Sequence, residues 1–190
     1  MEHSKTEKIL QAALEVFAAQ GFERATVDEI ALKAHVAKGT VFYHYKSKED
    51  LFIQLIRSGI GLLIDTVRSE VRSLVCPTDK LKAIIKVQTE LSFAHTEFFS
   101  ILQSEVWGKL ERQQVLRQAL AEYLSLISTI VAEGIDSGEF AGTDADSLAA
   151  TIFGMSSVTV LYLLISQHGH KPQEVITDLQ RCVLQGILVR

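Results

Sequence analysis

The stretch AKGTVFYHYKSKEDL, residues 37–51, decides how this chain is interpreted. Its aromatic and β-branched residues favour a strand when they are taken alone, yet sequence with helical periodicity lies on both sides of them. Lysines and a histidine are mixed with the aromatics, and no acidic residue occurs before Glu49. The stretch is therefore compatible with a strand, with a core helix, or with a surface that binds an anion.

The charge of the chain is unevenly distributed. The net charge of the 190 residues is −4, which by itself indicates no nucleic-acid partner. Residues 1–58 contain eight basic and eight acidic residues, whereas residues 59–190 contain eleven and fifteen. Within the first part, residues 30–48 contain four lysines and no acid. A basic window in an acidic chain is the pattern expected of a local anion-binding surface.

Composition favours a folded, mainly helical protein of the cytoplasm. The hydrophobic fraction is 47%, and the chain has only two prolines. Cys76 and Cys182 lie far apart and outside any metal-binding spacing, so we expect two reduced core thiols, with no metal site and no cofactor. The first residues, MEHSKTEK, lack the apolar segment of a secretory signal.

One segment is long and apolar enough to raise the question of a membrane. Residues 147–170 contain no Lys, Arg, Asp or Glu, and this length can span a bilayer. Several Ser and Thr residues within it, and a single basic residue close by, argue against a span. We therefore expect a helix buried by the core and by a partner, with a membrane span as the alternative.

Helix signals recur along the whole chain. The capping-box pattern, a Ser or Thr followed three residues later by an acid, occurs at Ser4, Thr26, Ser47 and Thr143. Gly21 is expected to end the first helix and Pro77 to prevent the continuation of the fourth. Helical periodicity continues at residues 79–95, 97–107, 113–137, 144–167 and 173–188. The expected fold is all-α, with about nine helices.

Two short helical segments, residues 26–34 and 38–44, are joined by a tight turn and match a helix-turn-helix. In that motif the second helix enters the major groove of DNA while the first crosses the backbone. Val41 and Tyr45 provide an edge for the core, and Lys48 is placed to meet a phosphate at a helix N-terminus. The groups left to contact DNA belong to Lys38, Gly39, Thr40, Phe42, Tyr43 and His44.

The sequence ILQAALEVFAAQGFERATVDEIALKAHVAKGTVFYHYKSKEDLF, residues 9–52, resembles the DNA-binding domain of the tetracycline-repressor (TetR) family of transcriptional regulators. The resemblance implies a helix-turn-helix domain over residues 1–47 and a ligand-binding and dimerisation domain over residues 48–190, linked by a helix at about 48–75. It implies a repressor that binds a palindromic DNA operator as a homodimer and is released by a small molecule. It further implies that Thr26 contacts a phosphate, that Phe42 holds the variable groove-facing position, and that Tyr43, His44 and Lys48 bind phosphates.

Two positions depart from the pattern of this family. His35 stands in the turn where the family usually has Gly, at a position that we expect to need a positive φ, at a cost of about 1 kcal/mol. Ala37 stands where Ser commonly caps the recognition helix, so a cap that contributes about 1 kcal/mol is missing. Neither change removes a group that contacts DNA, so we expect them to affect the rigidity of the motif rather than its function.

The second part of the chain is expected to form the dimer through helices at residues 144–167 and 173–188, with an intramolecular core as the alternative. The resemblance also implies a ligand pocket, although aromatic residues at helical spacing are also typical of an ordinary core. The residues that could line this pocket are Phe93, His95, Phe99, Trp107, Tyr123, Met155 and Tyr162.

Other classes of function find less support in the sequence. A di-iron helical bundle needs Glu-x-x-His pairs, and no histidine of this chain has a Glu three residues before it. The motifs HExxH, GxSxG, the P-loop and GxGxxG do not occur either, so no enzymatic activity is expected. An adaptor that has lost DNA binding would not need residues 38–40 and 43–44 in this arrangement.

Overall fold

A computed structural model describes residues 5–105, 110–142, 144–166 and 169–188 of the chain. The described residues form nine α-helices, and their only β-type pairing is a single bridge between Phe140 and Leu188. The helices are α1 (Lys5–Arg24), α2 (Val27–Lys33), α3 (Lys38–His44), α4 (Lys48–Val71), α5 (Pro77–Ala94), α6 (Thr96–Glu105), α7 (Leu110–Asp136), α8 (Ala145–Ser166) and α9 (Pro172–Ile187). The predicted all-α fold is therefore confirmed.

The described helices belong to two compact units. Unit 1 is formed within Met1–Gly59 and Glu97–Arg117, and unit 2 within Ile60–Thr96 and Gln118–Arg190. Unit 1 therefore contains α1, α2, α3, the first half of α4, most of α6 and the first turns of α7. The boundary at residues 47 and 48 that the sequence indicates stays a prediction.

The core of unit 1 is built around aromatic rings of α1 and α4. Phe17 stacks on Phe22, with 5.6 Å between the ring centres, and the edge of Phe52 meets both rings at 5.3 and 5.0 Å. Gly21, just before Phe22, has a φ of 77° and interrupts α1, as predicted. This conformation, which glycine adopts without steric cost, turns Phe22 back onto the last regular turn of the helix.

Unit 2 is built around α5, which packs against α8 and α9. Leu81, Ile84 and Ile85 of α5 are completely buried, as are Tyr123 and Ile127 of α7. Their spacing of three and four residues is that of a helix with one apolar face. The predicted helices of the second part of the chain are thus confirmed where the structure describes them.

The predicted helix starts and stops were partly correct. Thr26 forms both hydrogen bonds of its capping box with Glu29, whereas at Ser47 only the hydroxyl bond to the N–H of Asp50 forms. Ser4 and Thr143 lie outside the described residues. At the start of α8 the carboxylate of Asp144 accepts from the N–H groups of the second and third residues that follow it.

The linking helix is shorter than predicted. It ends at Val71 rather than near residue 75. Pro77 occupies the first turn of α5, where its fixed φ and missing N–H are tolerated. Proline therefore marks the beginning of the next helix here, and the preceding helix has already ended.

Helix α8 has one face in the core and one face exposed in the single chain. Ala149, Ile152 and Val160 are buried, whereas Val158 and Tyr162 are more than half exposed. By length and composition alone, α8 and the part of α7 within Arg112–Asp136 could cross a membrane. A core helix of a soluble protein meets the same criteria, so this is weak evidence for a span.

Candidate nucleic-acid interface

The turn between α2 and α3 is held by backbone hydrogen bonds. The N–H of Ala34 donates to the carbonyl of Ile30 at 2.9 Å, and the N–H of Val36 donates to that of Ala31 at 3.0 Å. His35 has a φ of 54°, the only positive φ of a non-glycine residue in the described part of the chain. The predicted positive φ at this position is confirmed. Histidine tolerates this left-handed region better than most residues other than glycine.

Helix α3 has one face turned to the core and one face turned to solvent. Val41 and Tyr45 are buried, whereas Phe42 is 46% and Tyr43 85% exposed. Ala37 starts the helix without a side-chain cap, as predicted. These two large aromatic side chains are exposed beside Gly39, which is exposed as well. An exposed apolar patch of this kind is typical of a binding site. The outward face of α3 is therefore the candidate surface for binding DNA.

The hydroxyl of Tyr45 is buried, and it has no hydrogen-bond partner among the described residues. Burial raises the pKa of this phenol, and the nearby carboxylate of Asp50 adds to that effect. The carboxylate of Asp50 is held by the backbone N–H of Lys46 at 2.9 Å. The buried ring of Tyr45 and the hydrogen bond between Lys46 and Asp50 thus connect the end of α3 to the start of α4.

The ammonium of Lys38 has a partner in this structure. It lies 2.8 Å from a carboxylate oxygen of Asp28 in α2, and both side chains are about half exposed or more. Because exposed ion pairs contribute little stability, this pair can open when a phosphate or a base competes for the ammonium. Asp28 therefore orients the ammonium of Lys38, whose predicted contact with DNA stays untested.

Two donor groups of Thr26 bind the carboxylate of Glu29. Its hydroxyl and its backbone N–H both donate to the carboxylate of Glu29, at 2.8 and 2.9 Å, and the amide of Gln20 donates to the same oxygen at 2.9 Å. These hydrogen bonds lower the pKa of the Glu29 carboxyl, and the bond from the Thr26 hydroxyl has the largest effect. A phosphate contact of Thr26, which stays a prediction, would require one of its donors to leave Glu29.

Lys48 sits at the end of α1 rather than pointing freely into solvent. Its ammonium donates to the carbonyls of Phe22, Glu23 and Ala25, at 2.8, 3.3 and 2.9 Å. Carbonyls at a helix C-terminus lack partners within the helix, and a cation there also complements the helix dipole. An ammonium has three donors, so all of them are used in this arrangement. The predicted phosphate contact of Lys48 stays untested.

The predicted pocket residues lie in different surroundings, and that prediction also stays untested. Phe93 and Phe99 are half-buried, His95 is exposed at the end of α5, and Tyr123 is completely buried. Met155 and Tyr162 lie on the exposed face of α8. Trp107 lies outside the described residues. The structure thus encloses Tyr123 most completely, while it leaves Tyr162 at the surface of the chain.

A buried polar network in unit 2 was missed by sequence reasoning. The hydroxyl of Tyr123 donates to the side-chain oxygen of Gln88 at 2.9 Å. The amide nitrogen of Gln88 donates to the carbonyl of Phe153 at 3.2 Å and to the hydroxyl of Ser157 at 3.0 Å. Gln88 therefore links α5 to α7 and α8. Its position on the apolar face of α5, seven residues after Leu81, was the signal available in the sequence.

Two family models match the sequence, one over each part of the chain. The model described as bacterial regulatory proteins of the tetR family matches residues 9–55. The model described as the Tetracyclin repressor-like C-terminal domain matches residues 75–187. The sequence is also similar to the fatty acid metabolism regulator protein of Bacillus subtilis (strain 168), with 32% identity over 182 residues that cover 95% of this chain and 94% of that protein.

The fold is similar to that of solved structures as well. The fatty acid degradation regulator FadR of Bacillus halodurans superposes with a TM-score of 0.89 at 25% identity, over 98% of this chain and 97% of that one. The transcriptional regulator FadR of Bacillus subtilis in complex with stearoyl-CoA superposes with a TM-score of 0.87 at 27% identity, over 95% and 98% of the two chains.

A helix-turn-helix with an exposed recognition helix, joined to a helical second part, defines a DNA-binding transcriptional regulator. The matched relatives are transcriptional regulators, which are not enzymes. Since both family models and a relative of nearly equal length match it, the chain belongs to the tetR family of bacterial regulatory proteins. Regulators of this family bind DNA operators, form dimers and respond to small molecules.

Proposed function

We propose that this regulator is a repressor of fatty acid metabolism genes and that a long-chain acyl-CoA releases it from its operator. The observation that carries the proposal is the 32% identity to a fatty acid metabolism regulator along 94% of that protein's length. The similar structure of a regulator in complex with stearoyl-CoA supports the class of effector. We place the protein in the cytoplasm, where operator DNA and acyl-CoA are both found.

The DNA contacts are assigned to the outward face of α3. Lys38 and Thr40 supply donors at the start of the helix, and Gly39 allows the backbone to approach the groove closely. Phe42 reaches the bases, while Tyr43 and His44 meet phosphates. The support for this assignment is that Val41 and Tyr45 take up the inward face, which leaves these residues outward. Thr26 and Lys48 act mainly by holding the ends of α2 and α1.

The homodimer is assigned to the exposed face of α8 together with α9. Met155, Val158, Tyr162 and Ile165 follow one another at intervals of three and four residues, and each is at least 36% exposed in the single chain. Such spacing forms one continuous apolar stripe along a helix. A second copy of the chain is the partner that covers it, because a palindromic operator requires two recognition helices about 34–36 Å apart, or a multiple of that distance.

Helix α9 is amphipathic, and its apolar face is covered by the chain's own core rather than left for a partner. Val175, Leu179 and Val183 are buried against the chain's own core, whereas Cys182 and Gly186 are exposed. Small residues at such positions let two helices approach closely. In the proposed dimer the apolar contact comes mostly from α8, and α9 contributes the exposed small residues Cys182 and Gly186.

Release follows from a shift between two populations. Acyl-CoA binds the conformer in which the recognition helices are wrongly spaced more tightly than it binds the DNA-competent conformer. A decisive shift requires a differential affinity of about 5 kcal/mol. Of the residues predicted for the pocket, Phe93 and Tyr123 remain the candidates within unit 2, whereas Phe99 belongs to unit 1. Met155 and Tyr162 are better accounted for by the dimer interface.

Fluorescence anisotropy with an operator selected from random DNA by the purified protein tests the proposal. Stearoyl-CoA is expected to release the complex at micromolar concentration, whereas equal concentrations of free coenzyme A or stearate are not. Tight operator binding that none of the three compounds reverses would show that the effector belongs to another chemical class. Absence of operator binding would contradict the assignment of α3.

A further inference from the structure

Arg112, in the first turn of α7, is almost enclosed within unit 1. Only 11% of its side chain is exposed, and its Nε lies 2.7 Å from a carboxylate oxygen of Glu105, of which 8% is exposed. One terminal nitrogen lies 3.3 Å from the carboxylate of Glu23, and the guanidinium carbon is 4.2 Å from the centre of the Phe22 ring. One side chain thus joins the end of α6 to the end of α1.

Helix α6 is fixed at its other end as well. The ring of Phe98 lies directly over Gly59 of α4, where an added Cβ atom would come within 2.1 Å of the ring. Only glycine permits this approach, so the first turn of α6 is held closely against α4. With Glu105 bound by Arg112 at its last residue, α6 is attached to the helix-turn-helix unit at both of its ends.

Phe22, on which Arg112 packs, is also bonded to the helix that follows the helix-turn-helix. The carbonyl of Phe22 accepts from Lys48 of α4, and so does that of Ala25, at 2.8 and 2.9 Å. Thr26, the cap of α2, is the next residue. A displacement of Phe22 would therefore act on the start of α2 and on the start of α4 together.

We propose that Arg112 is a positioning residue that couples α6 and α7 to the helix-turn-helix, so that an effector changes DNA binding through it. The proposal rests on the proposed function, because it assumes that an effector alters α6 or α7. Arg112 lies in the first turn of α7, which is one helix from Leu110 to Asp136, so an effector that alters this helix can act on the contacts of Arg112.

Arginine suits this role because its planar guanidinium can donate to two carboxylates while its face lies on an aromatic ring. An enclosed ion pair is also poorly tolerated when it is half broken, since one charge is then left without a partner. Opening the enclosed Arg112–Glu105 pair is therefore costly, so we expect α6 and the start of α7 to move together.

The test uses the wild-type protein, three single variants, and the double variant that combines Arg112→Met with Glu105→Gln. Arg112→Met removes the charge and keeps the packing of the stem, and Glu105→Gln keeps the shape of its side chain. Arg68→Met is the matched control, because Arg68 forms an exposed ion pair with Glu122 in unit 2, with 54% of its side chain exposed. For each protein, the operator dissociation constant is measured by anisotropy with and without saturating stearoyl-CoA, and the ratio of the two is the release factor.

In the control the release factor is expected to equal that of the wild-type protein. In Arg112→Met and in Glu105→Gln it is expected to fall by at least about tenfold, the size of a typical coupling between sites. Titration calorimetry without DNA is expected to show unchanged affinity for stearoyl-CoA. The double variant is expected to be no more impaired than either single variant, because the two residues act as one unit.

A release factor that stays at the wild-type value in either folded variant overturns the proposal, and so does a loss of stearoyl-CoA affinity that accounts for the whole effect. If Arg112→Met does not fold, Glu105→Gln alone decides. If stearoyl-CoA fails to release the wild-type protein, the proposed effector is wrong, and hydrogen exchange then tests Arg112. Faster exchange of the Ala25 and Thr26 amides in Glu105→Gln, by about tenfold, supports the proposal, and unchanged exchange overturns it.

Discussion

The ammonium of Lys48 lies 2.8 Å from the carbonyl oxygen of Phe22 and 4.4 Å from the centre of the ring of the same residue. The side chain of a lysine in the first turn of α4 therefore contacts both the backbone and the ring of Phe22, in the last turn of α1. The interaction connects α1, which precedes the helix-turn-helix, to α4, which follows it. Lys48 therefore stabilises the contact between α1 and α4 when no DNA is bound.

Replacement of Lys48 by Met is expected to lower the free energy of unfolding by about 1–3 kcal/mol, because three carbonyls lose a charged donor. Operator affinity should fall as well, since the hydrogen bonds between α4 and the end of α1 are lost. The dependence of the operator affinity on salt should keep its slope if Lys48 acts as a cap. A slope reduced by about one would instead show a direct phosphate contact. Denaturant unfolding and anisotropy at several salt concentrations provide the two measurements.

Asp28 offers a way to increase DNA binding. In the variant Asp28→Asn, the ammonium of Lys38 loses its carboxylate partner and the surface of the motif loses one negative charge. We expect tighter binding to both operator and unrelated DNA, with a salt slope steeper by about one. The loss of an exposed ion pair should change stability by less than about 1 kcal/mol. Weaker binding to both DNAs would show that Asp28 is needed to orient Lys38.

Much of this arrangement could be predicted from the sequence because it is local. The capping box at Thr26, the missing cap at Ala37 and the positive φ at His35 each depend on a few neighbouring residues. The periodicity of apolar residues predicted the helices for the same reason. Val41 and Tyr45 were also recognisable as core positions, because they lie on one side of a short helix.

The remaining features depend on partners that are distant in sequence. The contacts of Lys48 join residues that are 23 to 26 positions apart, and Gln88 bonds to Ser157 across 69 positions. A lysine in a basic stretch has the same local pattern whether it binds a phosphate or a carbonyl. The end of α4 was misplaced for a related reason, because Pro77 is compatible with a helix stop and with a helix start.

The hydroxyl of Tyr123 is expected to contribute to the stability of unit 2. In Tyr123→Phe, the buried side-chain oxygen of Gln88 loses its donor, which should cost about 1–3 kcal/mol in thermal or denaturant unfolding. Tyr43→Phe, at an exposed position, is the matched control. An equal and negligible effect of both substitutions would show that the network contributes nothing to folding.

The same residue predicts how stability depends on alkaline pH. Burial raises the pKa of the Tyr123 phenol above the ordinary value of 10.0. Since the folded state holds this proton more tightly than the unfolded state does, its contribution is complete below about pH 10 and is lost as the pH rises further. The free energy of unfolding should therefore fall less steeply above about pH 10 in Tyr123→Phe than in the wild-type protein.

Tyr162 tests the dimer assigned to α8. This residue is 68% exposed in the single chain, so a charge at its position is not expected to disturb the chain's own core. Tyr162→Asp should convert the dimer to a monomer in light scattering after size-exclusion chromatography. It should also weaken operator binding by at least about tenfold, because a monomer contacts only one half-site. A dimer that persists in this variant would place the interface elsewhere.

We propose that α3 reads operator DNA and that acyl-CoA ends this contact. Anisotropy of a labelled operator, titrated with the wild-type protein and with Thr40→Ala and then with stearoyl-CoA, tests it most directly. We expect tight, salt-dependent binding by the wild-type protein, a loss of preference for the operator over unrelated DNA in Thr40→Ala, and full release by stearoyl-CoA. Equal discrimination by both proteins, together with complexes that stearoyl-CoA leaves intact, would contradict it.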